Sequence, residues 1–409
     1  MIDYYETKSQ PITRRQVWEA YRKVRRNKGS MGLDGMGWEY LDNNREAQLY
    51  KLWNRLSSGS YFPPPVKEVS IKKKGGGKRK LGIPTILDRI AQEVVRVPLD
   101  RKVEPLFHKN SYGYRKGHSA HQAVREATRQ ALQYNWAIDL DIIPSVRDDN
   151  IDHDLLIKAI THYCKDKWVL LYIERWLKAG ILQEDGMLTD RLTGTPQGGV
   201  ISPLLSNIFL HVVFDKWMEK HHPDKPFERY ADDIIVHCKT EKQAKFVKAV
   251  IQNRMRACKL QLHPGKTKIV HFRGESQKKY PRSLDFLGFT LRIQMVKTKV
   301  GLKLMTTCVI SNKSKSSVLA KFRWMKIHKM RTSIDVVSAK LRPVIRGIIN
   351  YYCKFWSGHT NGLWFQLNVR LIKWVMWEKN LRIRAAVRWL KKMFKARPNL
   401  FPHWALVRP

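Results

Sequence analysis

The chain has 409 residues and carries 77 Lys and Arg against 35 Asp and Glu, a formal net charge of +42. Like charge at that density opposes a compact fold unless a polyanion offsets it, which points to nucleic acid as the partner. Disorder is excluded by a hydrophobic content of 43% and an aromatic content of 11%.

No apolar run approaches the roughly 20 residues that a bilayer crossing needs, so no membrane partner is expected. The five cysteines, Cys164, Cys238, Cys258, Cys308 and Cys353, show no CxxC spacing. Neither a disulfide framework nor a zinc knuckle follows from them, and a reducing, cytoplasmic setting is expected. Met1–Gln10 is polar and charged, unlike a secretory signal.

In chain order, residues 12–58 read as helical, with Thr13 as cap and Val17, Ala20, Tyr21 and Val24 on one face. The segment NKGSMGLDG at 27–35 breaks this run as a loop. YFPPP at 61–65 is a stiff extended spacer. Val66 to Ile71 alternates as a strand, KKKGGGKRK at 72–80 reads as a basic hairpin tip, and a helix is predicted from Leu87 to Phe107.

WAIDLDI at 136–142 is a short strand whose acids interrupt apolar residues. Helices are predicted over 151–179, over Val200 to Met218 and over 241–258. RYADDIIVHC at 229–238 has the pattern of a hairpin with acids at its turn, and KLQLHPGKTKIVHF reads as strand–turn–strand. From about 316 onward the pattern is nearly all helix, with Leu363, Trp364, Leu367, Leu371, Trp374 and Val375 on one face. Residues 311–409 hold 22 Lys and Arg against two acids, Asp335 and Glu378, a local charge of +20. Seven tryptophans share that segment, which suits either a helical core or a surface that tracks phosphates and stacks on bases. Helices mixed with short antiparallel strands, without a βαβα rhythm, give an α+β fold followed by an all-α domain.

The adjacent acids Asp232 and Asp233 lie within an otherwise apolar strand pair. Successive strand residues face opposite ways, so two acids in a row belong at a turn. Carboxylates held in such a place are costly unless a hard dication such as Mg²⁺ offsets them. Asp141 is in the same position within its own strand. Three carboxylates from two strands are the donor set of a two-metal site for in-line displacement at phosphorus.

The surrounding motifs are similar to those of bacterial reverse transcriptases of the group II intron type. RYADDIIV at 229–236 resembles the YxDD box, and GTPQGGVISPLLSNIFLH at 194–211 resembles the GTPQGG…SPLLxN signature. KGGGKRKLGIPTILDRIAQ (74–92), NSYGYRKGHSAHQAV (110–124), LDFLGFTL (284–291), NKGSMGLDG (27–35), RGIINYY (346–352) and LFPHW (400–404) follow the family's order. The resemblance implies a right-hand polymerase: an N-terminal extension at 1–60, fingers at 61–135, a palm at 136–310 with fingers-type helices interleaved, and an α-helical thumb or maturase domain at 311–409.

It also implies roles. Asp141, Asp232 and Asp233 match the metal-binding triad, with Ile142 beside them in the implied ligand set, for two Mg²⁺ ions or Mn²⁺ in their place. Lys73 and Arg79 match residues that hold the incoming triphosphate, and Gln197 and Gly198 match the lining of the nucleotide pocket. Lys266 matches a lysine that could protonate the pyrophosphate leaving group; a phosphate contact or a surface position is an equally good reading of it. Asn27, Lys28, Gly29, Arg115 and Tyr230 belong to the implied nucleic-acid contacts. His153 is read as ordering a helix.

One segment departs from the pattern. Where the family reads DIKGFFDNIDH, this chain has Asp141-Ile-Ile-Pro-Ser-Val-Arg-Asp-Asp-Asn-Ile-Asp-His153, two residues longer and without the Phe-Phe pair. An ungapped count puts Val146 at the aromatic that screens out ribose. A rebuilt loop with relaxed sugar discrimination, a different gate, and impaired polymerisation all remain open. Nothing resembles the DNA-binding and HNH regions of some relatives, so nicking in cis is not expected.

The expected function is an RNA-dependent DNA polymerase acting on an RNA template, a DNA primer and dNTPs, with a group II intron-like RNA as a further partner. A non-polymerising or weakly polymerising RNA-binding maturase, or a domesticated reverse transcriptase of host defence or repair, stands beside it.

Overall fold

The computed structural model describes residues 9–72, 78–143, 151–191, 193–194, 198–273, 279–298 and 301–409. The chain divides into two compact units. The first holds residues 1–119, 138–236 and 242–268; the second holds 120–137, 237–241 and 269–409. Helices and largely antiparallel strands give the expected α+β class. Residues 269–310 group with the helical C-terminal part.

The predicted helical run over 12–58 is three helices: α1 (Arg14–Arg26), α2 (Trp38–Asn43) and α3 (Arg45–Ser57). A capping box opens α1: Thr13 Oγ1 accepts from the Gln16 amide, and Gln16 Oε1 accepts from the Thr13 amide at 2.7 Å. Val17, Ala20, Tyr21 and Val24 are its buried stripe, as their spacing predicts. Strands β1 (Val66–Lys72) and β2 (Lys78–Ile83) pair antiparallel from Lys67↔Ile83 to Lys72↔Lys78, and α4 (Ile86–Val103) follows with Thr85 as its cap.

Next come α5 (Ala120–Gln133), β3 (Trp136–Asp141), α6 (His153–Tyr163) and α7 (Lys167–Lys178). The short strands β4 (Ile181–Leu182) and β5 (Leu188–Thr189) extend the first sheet in the order β2-β1-β4-β5. The helix predicted over 200–218 is α8 (Ser202–Leu210), a π-helical segment His211–Asp215, and α9 (Lys216–His221). Strands β6 (Phe227–Tyr230) and β7 (Asp233–Cys238), helix α10 (Glu241–Ala257) and strand β8 (Lys268–His271) complete a second sheet in the order β6-β7-β3-β8. Of the strand–turn–strand predicted over 259–272, the second strand is β8; the first is a single bridge between Leu262 and Ile142.

In the second unit, β9 (Ser283–Phe286), β10 (Phe289–Thr298) and β11 (Gly301–Ile310) form an antiparallel sheet. The turn from β9 to β10 is Leu287-Gly288, with φ of +50° and +84°, the two left-handed residues a tight hairpin requires. Helices α11 (Asn312–Trp324), α12 (Ile334–Tyr352), α13 (Asn361–Glu378) and α14 (Ile383–Ala396) close around their own core. The predicted face of α13 is buried along its whole length. The tryptophans divide by role: Trp364, Trp374 and Trp404 are fully buried, whereas Trp324 is 80% and Trp377 57% exposed.

One buried polar cluster in this helical core is centred on Asn368. Asn368 Oδ1 accepts from His403 Nε2 at 2.8 Å and from Trp404 Nε1 at 3.2 Å. Burial lowers the His403 imidazole from 6.5 to about 3. A histidine held neutral in the fold stabilises it fully above about pH 6.5, and that contribution is lost as pH falls toward 3. We expect the His403→Gln variant to lose less stability than the wild type between pH 7 and pH 4.5. The difference should be on the order of 2 kcal/mol, read from denaturant unfolding at both pH values.

Candidate active site

The acidic pair is carried by the tightest hairpin of the first unit. Tyr230 pairs with Asp233 and Phe227 with Val236, so the loop is only Ala231-Asp232. Ala231 has φ of +56°, a left-handed conformation that costs a non-glycine residue about 1 kcal/mol and marks a constrained turn. Ile234, Ile235 and Val236 are buried behind the turn, whereas Asp233 is exposed and Asp232 half-buried. The apolar strand thus anchors the hairpin while the acids stay at its accessible end.

Asp141 is the last residue of β3 and is half-buried. Its backbone is fixed on both sides: the amide donates to Thr267 Oγ1 at 3.3 Å, and the carbonyl accepts from the His263 amide at 2.7 Å. The Lys266 ammonium lies 3.7 Å from Asp141 Oδ2 with its side chain 55% exposed, so the pairing is loose and solvent-screened. A cavity of about 250 Å³ has Ile142, Gly198, Ser202, Tyr114 and Asp232 among its walls. It brings the residue after Asp141 and the hairpin turn to one space. Among the described residues, no three or more His, Cys, Asp or Glu side chains are gathered into a metal cluster. The donors offered here are carboxylate oxygens, the chemistry of a hard dication.

Two buried networks hold the walls of this cavity. In the first, Arg229 and Asp215 are both fully buried and form a bidentate pair. Arg229 Nε reaches Asp215 Oδ1 at 2.7 Å and Nη2 reaches Oδ2 at 2.6 Å. Burial alone would raise the Asp215 carboxyl, but the Arg229 charge and hydrogen bonds from Arg229 and His211 outweigh it and hold its pKa below the usual range. In the second, Asp88 accepts from Tyr61 Oη and Trp176 Nε1, each at 2.7 Å, and from Gln92 Nε2 at 2.9 Å. Burial raises the Asp88 carboxyl against those three donors. Gln92 Oε1 in turn accepts from the Val200 amide at 2.7 Å, fixing the chain just after Gly198. Gly198 has φ of +116°, and a Cβ there would stand 2.7 Å from the Gly82 carbonyl oxygen.

Of the other residues singled out in the sequence, Tyr230 ends β6, and Asn27 caps the C-terminus of α1. Lys28 has φ of +44°, and the Gly29 carbonyl accepts from Trp38 Nε1 at 2.8 Å. Arg115 is turned inward. Its guanidinium bonds Glu104 Oε1 at 2.9 Å and the Ser111 carbonyl at 2.6 Å, so it braces the 104–115 loop. His153 Nε2 pairs with the Gly194 carbonyl oxygen at 2.9 Å at the start of α6. Arg79 sits on β2 opposite Ile71. Lys73, Val146 and Gln197 lie outside the described residues, as does the Arg79 side chain.

Arg229, Asp215, Asn207, His211, Asp88 and Gln92 were not singled out from sequence as functional. The available signal was polar residues at i, i+4 and i+8 (Asn207, His211, Asp215) along an otherwise apolar helix.

Residues 71–291, more than half the chain, match the family described as reverse transcriptase (RNA-dependent DNA polymerase). The chain belongs to the reverse transcriptase family. Protein YkfC of Escherichia coli is 31% identical over 293 residues, covering 62% of this chain and 76% of that protein. Group II intron-encoded protein LtrA of Lactococcus lactis is 39% identical over 193 residues, 47% of this chain and 32% of LtrA. A putative COX1/OXI3 intron 1 protein of Saccharomyces cerevisiae is 28% identical over 375 residues, 82% of this chain and 43% of that protein. The chain therefore spans about a third of LtrA and under half of the yeast protein. These relatives uphold the likeness to the group II intron type of reverse transcriptase drawn from the motifs.

Proposed function

We propose that this reverse transcriptase extends a DNA primer 3′-hydroxyl along an RNA template with dNTPs. Residues 61–135, 136–310 and 311–409 would serve as fingers, palm and thumb. The observation that carries the reading is the Ala231-Asp232 turn, which offers the Asp232 carboxylate at a cavity shared with Ile142 and Gly198. Asp141, Asp232 and Asp233, with Ile142 beside them, would hold two divalent cations, Mg²⁺ or Mn²⁺. When bound, such cations supply Lewis-acid stabilisation of the charge that develops on the transferred phosphate.

The chain's own residues orient and neutralise. The 3′-oxygen forms a bond to the α-phosphorus, its proton passes to solvent, and the bond from that phosphorus to the α–β bridging oxygen breaks. Lys266, at the edge of the site, would give a proton to the departing pyrophosphate, a role typically worth about 10²-fold or more. Lys73 and Arg79 would meet the triphosphate oxygens, and Gly198 leaves room for the nucleotide to approach. Lys28 and its neighbours Asn27 and Gly29, with Tyr230, would contact template and primer. The +20 charge of residues 311–409 supports a grip on duplex or on an intron-like RNA in the cytoplasm.

Wild-type protein given a DNA primer on an RNA template, dNTPs and Mg²⁺ is expected to yield template-length product. Tight RNA binding without any extension would overturn this reading. It would favour a maturase, or a domesticated relative that acts by binding RNA, which the same basic C-terminal segment supports.

A further inference from the structure

Arg229 forms hydrogen bonds beyond its pairing with Asp215. Its Nη1 donates to Asn207 Oδ1 at 2.9 Å and to the Ala231 carbonyl at 3.2 Å. The Ala231 carbonyl belongs to the peptide that leads into Asp232, so the guanidinium fixes the orientation of that peptide. Asn207 uses its other end as well: Nδ2 donates to the Gly113 carbonyl at 2.7 Å. Gly113 lies against the same turn, close enough that a Cβ would stand 2.3 Å from the Ala231 amide nitrogen. The backbone around Arg229 is also held, by Tyr112 donating to its carbonyl at 2.8 Å and by its own amide donating to Asn110 at 2.9 Å.

We propose that Asn207, Asp215 and Arg229 form a buried clamp that sets the Ala231-Asp232 turn, with Asn207 as the positioning residue that ties the turn to the 110–114 loop. This inference rests on Asp232 and Asp233 being the catalytic carboxylates. Three features distinguish the clamp from ordinary core packing. All three side chains are buried to within 2% of full exclusion, where an apolar cluster of equal volume would serve stability as well. The guanidinium fork is used in full, two nitrogens on the carboxylate and the third on the turn, a geometry that lysine cannot copy. The helix that carries Asn207 and Asp215 departs to π-helical geometry at His211–Asp215, a departure that recurs at functional sites.

The test compares wild type with Asn207→Leu, which removes both Asn207 hydrogen bonds at similar volume, and with Arg229→Lys. Three readouts are taken: amide hydrogen exchange of the 227–236 peptide, thermal unfolding, and kcat and KM for addition of one dNTP. For Asn207→Leu we expect exchange in 227–236 to rise roughly tenfold or more, with exchange in the 334–352 helix unchanged. We expect kcat to fall by a similar factor while KM for the dNTP moves less than about twofold. Arg229→Lys should show the same pattern, the retained charge failing to restore the turn. Unchanged exchange at 227–236 overturns the clamp, whatever the kinetics. So does a rise spread evenly over the chain with kcat and KM moving together, the mark of a general structural role. If the wild type adds no nucleotide at all, the polymerase reading falls, and hydrogen exchange alone still decides the clamp.

Discussion

Asp232→Asn and Asp141→Asn are each expected to reduce single-turnover nucleotide addition by about 10³-fold or more while leaving RNA affinity within about twofold. The substitution keeps shape and removes one negative charge. If the carboxylates hold cations that offset charge on the transferred phosphate, each supports several kcal/mol of transition-state stabilisation, and about 1.4 kcal/mol corresponds to tenfold in rate. Both residues are half-buried, the Asp141 side chain being 23% exposed, so loss of one charge is expected to cost the fold less than it costs the chemistry. Rapid quench with one dNTP, with thermal unfolding of the same preparations, separates the lost chemistry from lost folding. An Asp141→Asn variant within tenfold of wild type would move the chemistry away from this cavity.

Gly113→Ala is expected to be the most damaging single methyl in the first unit. The added Cβ would meet backbone, the Ala231 amide nitrogen at 2.3 Å and the Tyr230 carbonyl carbon at 3.0 Å. Neither can rotate away as a side chain would. The hairpin turn or the 110–114 loop must move, and forced overpacking of this kind costs about 1 to 3 kcal/mol. Because Ala231 is already left-handed, the turn has little freedom to absorb the shift. A displacement of about 1 Å at a reacting centre costs on the order of 10²-fold in rate. Nucleotide addition should therefore fall far more than the unfolding temperature. Full activity with an unchanged unfolding temperature would show that the two backbones separate freely.

The acidic hairpin was legible because adjacent acids in an apolar strand have few homes other than a turn, and Asp232 does sit in the turn with Asp233 opening β7. The helical C-terminal part was legible for the same kind of reason: the 3.6-residue spacing of Leu363, Trp364, Leu367, Leu371, Trp374 and Val375 is a buried face. What the sequence concealed were buried polar groups. Arg229 reads as one more basic residue in a chain of +42. Only the fold shows it fully buried on Asp215, 14 residues away, and on the turn it steadies. The bonds of Arg115 to Glu104 and to backbone carbonyls are likewise visible only in the fold. The loop that breaks the helical run over 12–58 was legible from its glycines: helix ends at Arg26 and resumes at Trp38, and a Cβ on Gly32 between them would meet the Thr85 backbone at 2.5 Å. The grouping of residues 269–310 with the helices depends on contacts far apart in sequence, which periodicity does not record.

The proposed role of Asp232 as a cation ligand in a nucleotidyl-transfer site is tested most directly by exchange of oxygen for sulfur. An Asp232→Cys variant, assayed for primer extension on RNA, should be inactive with Mg²⁺ and regain activity when a thiophilic dication such as Cd²⁺ is added, since thiolate favours soft ions over Mg²⁺. Undiminished extension by this variant with Mg²⁺ alone would contradict the account.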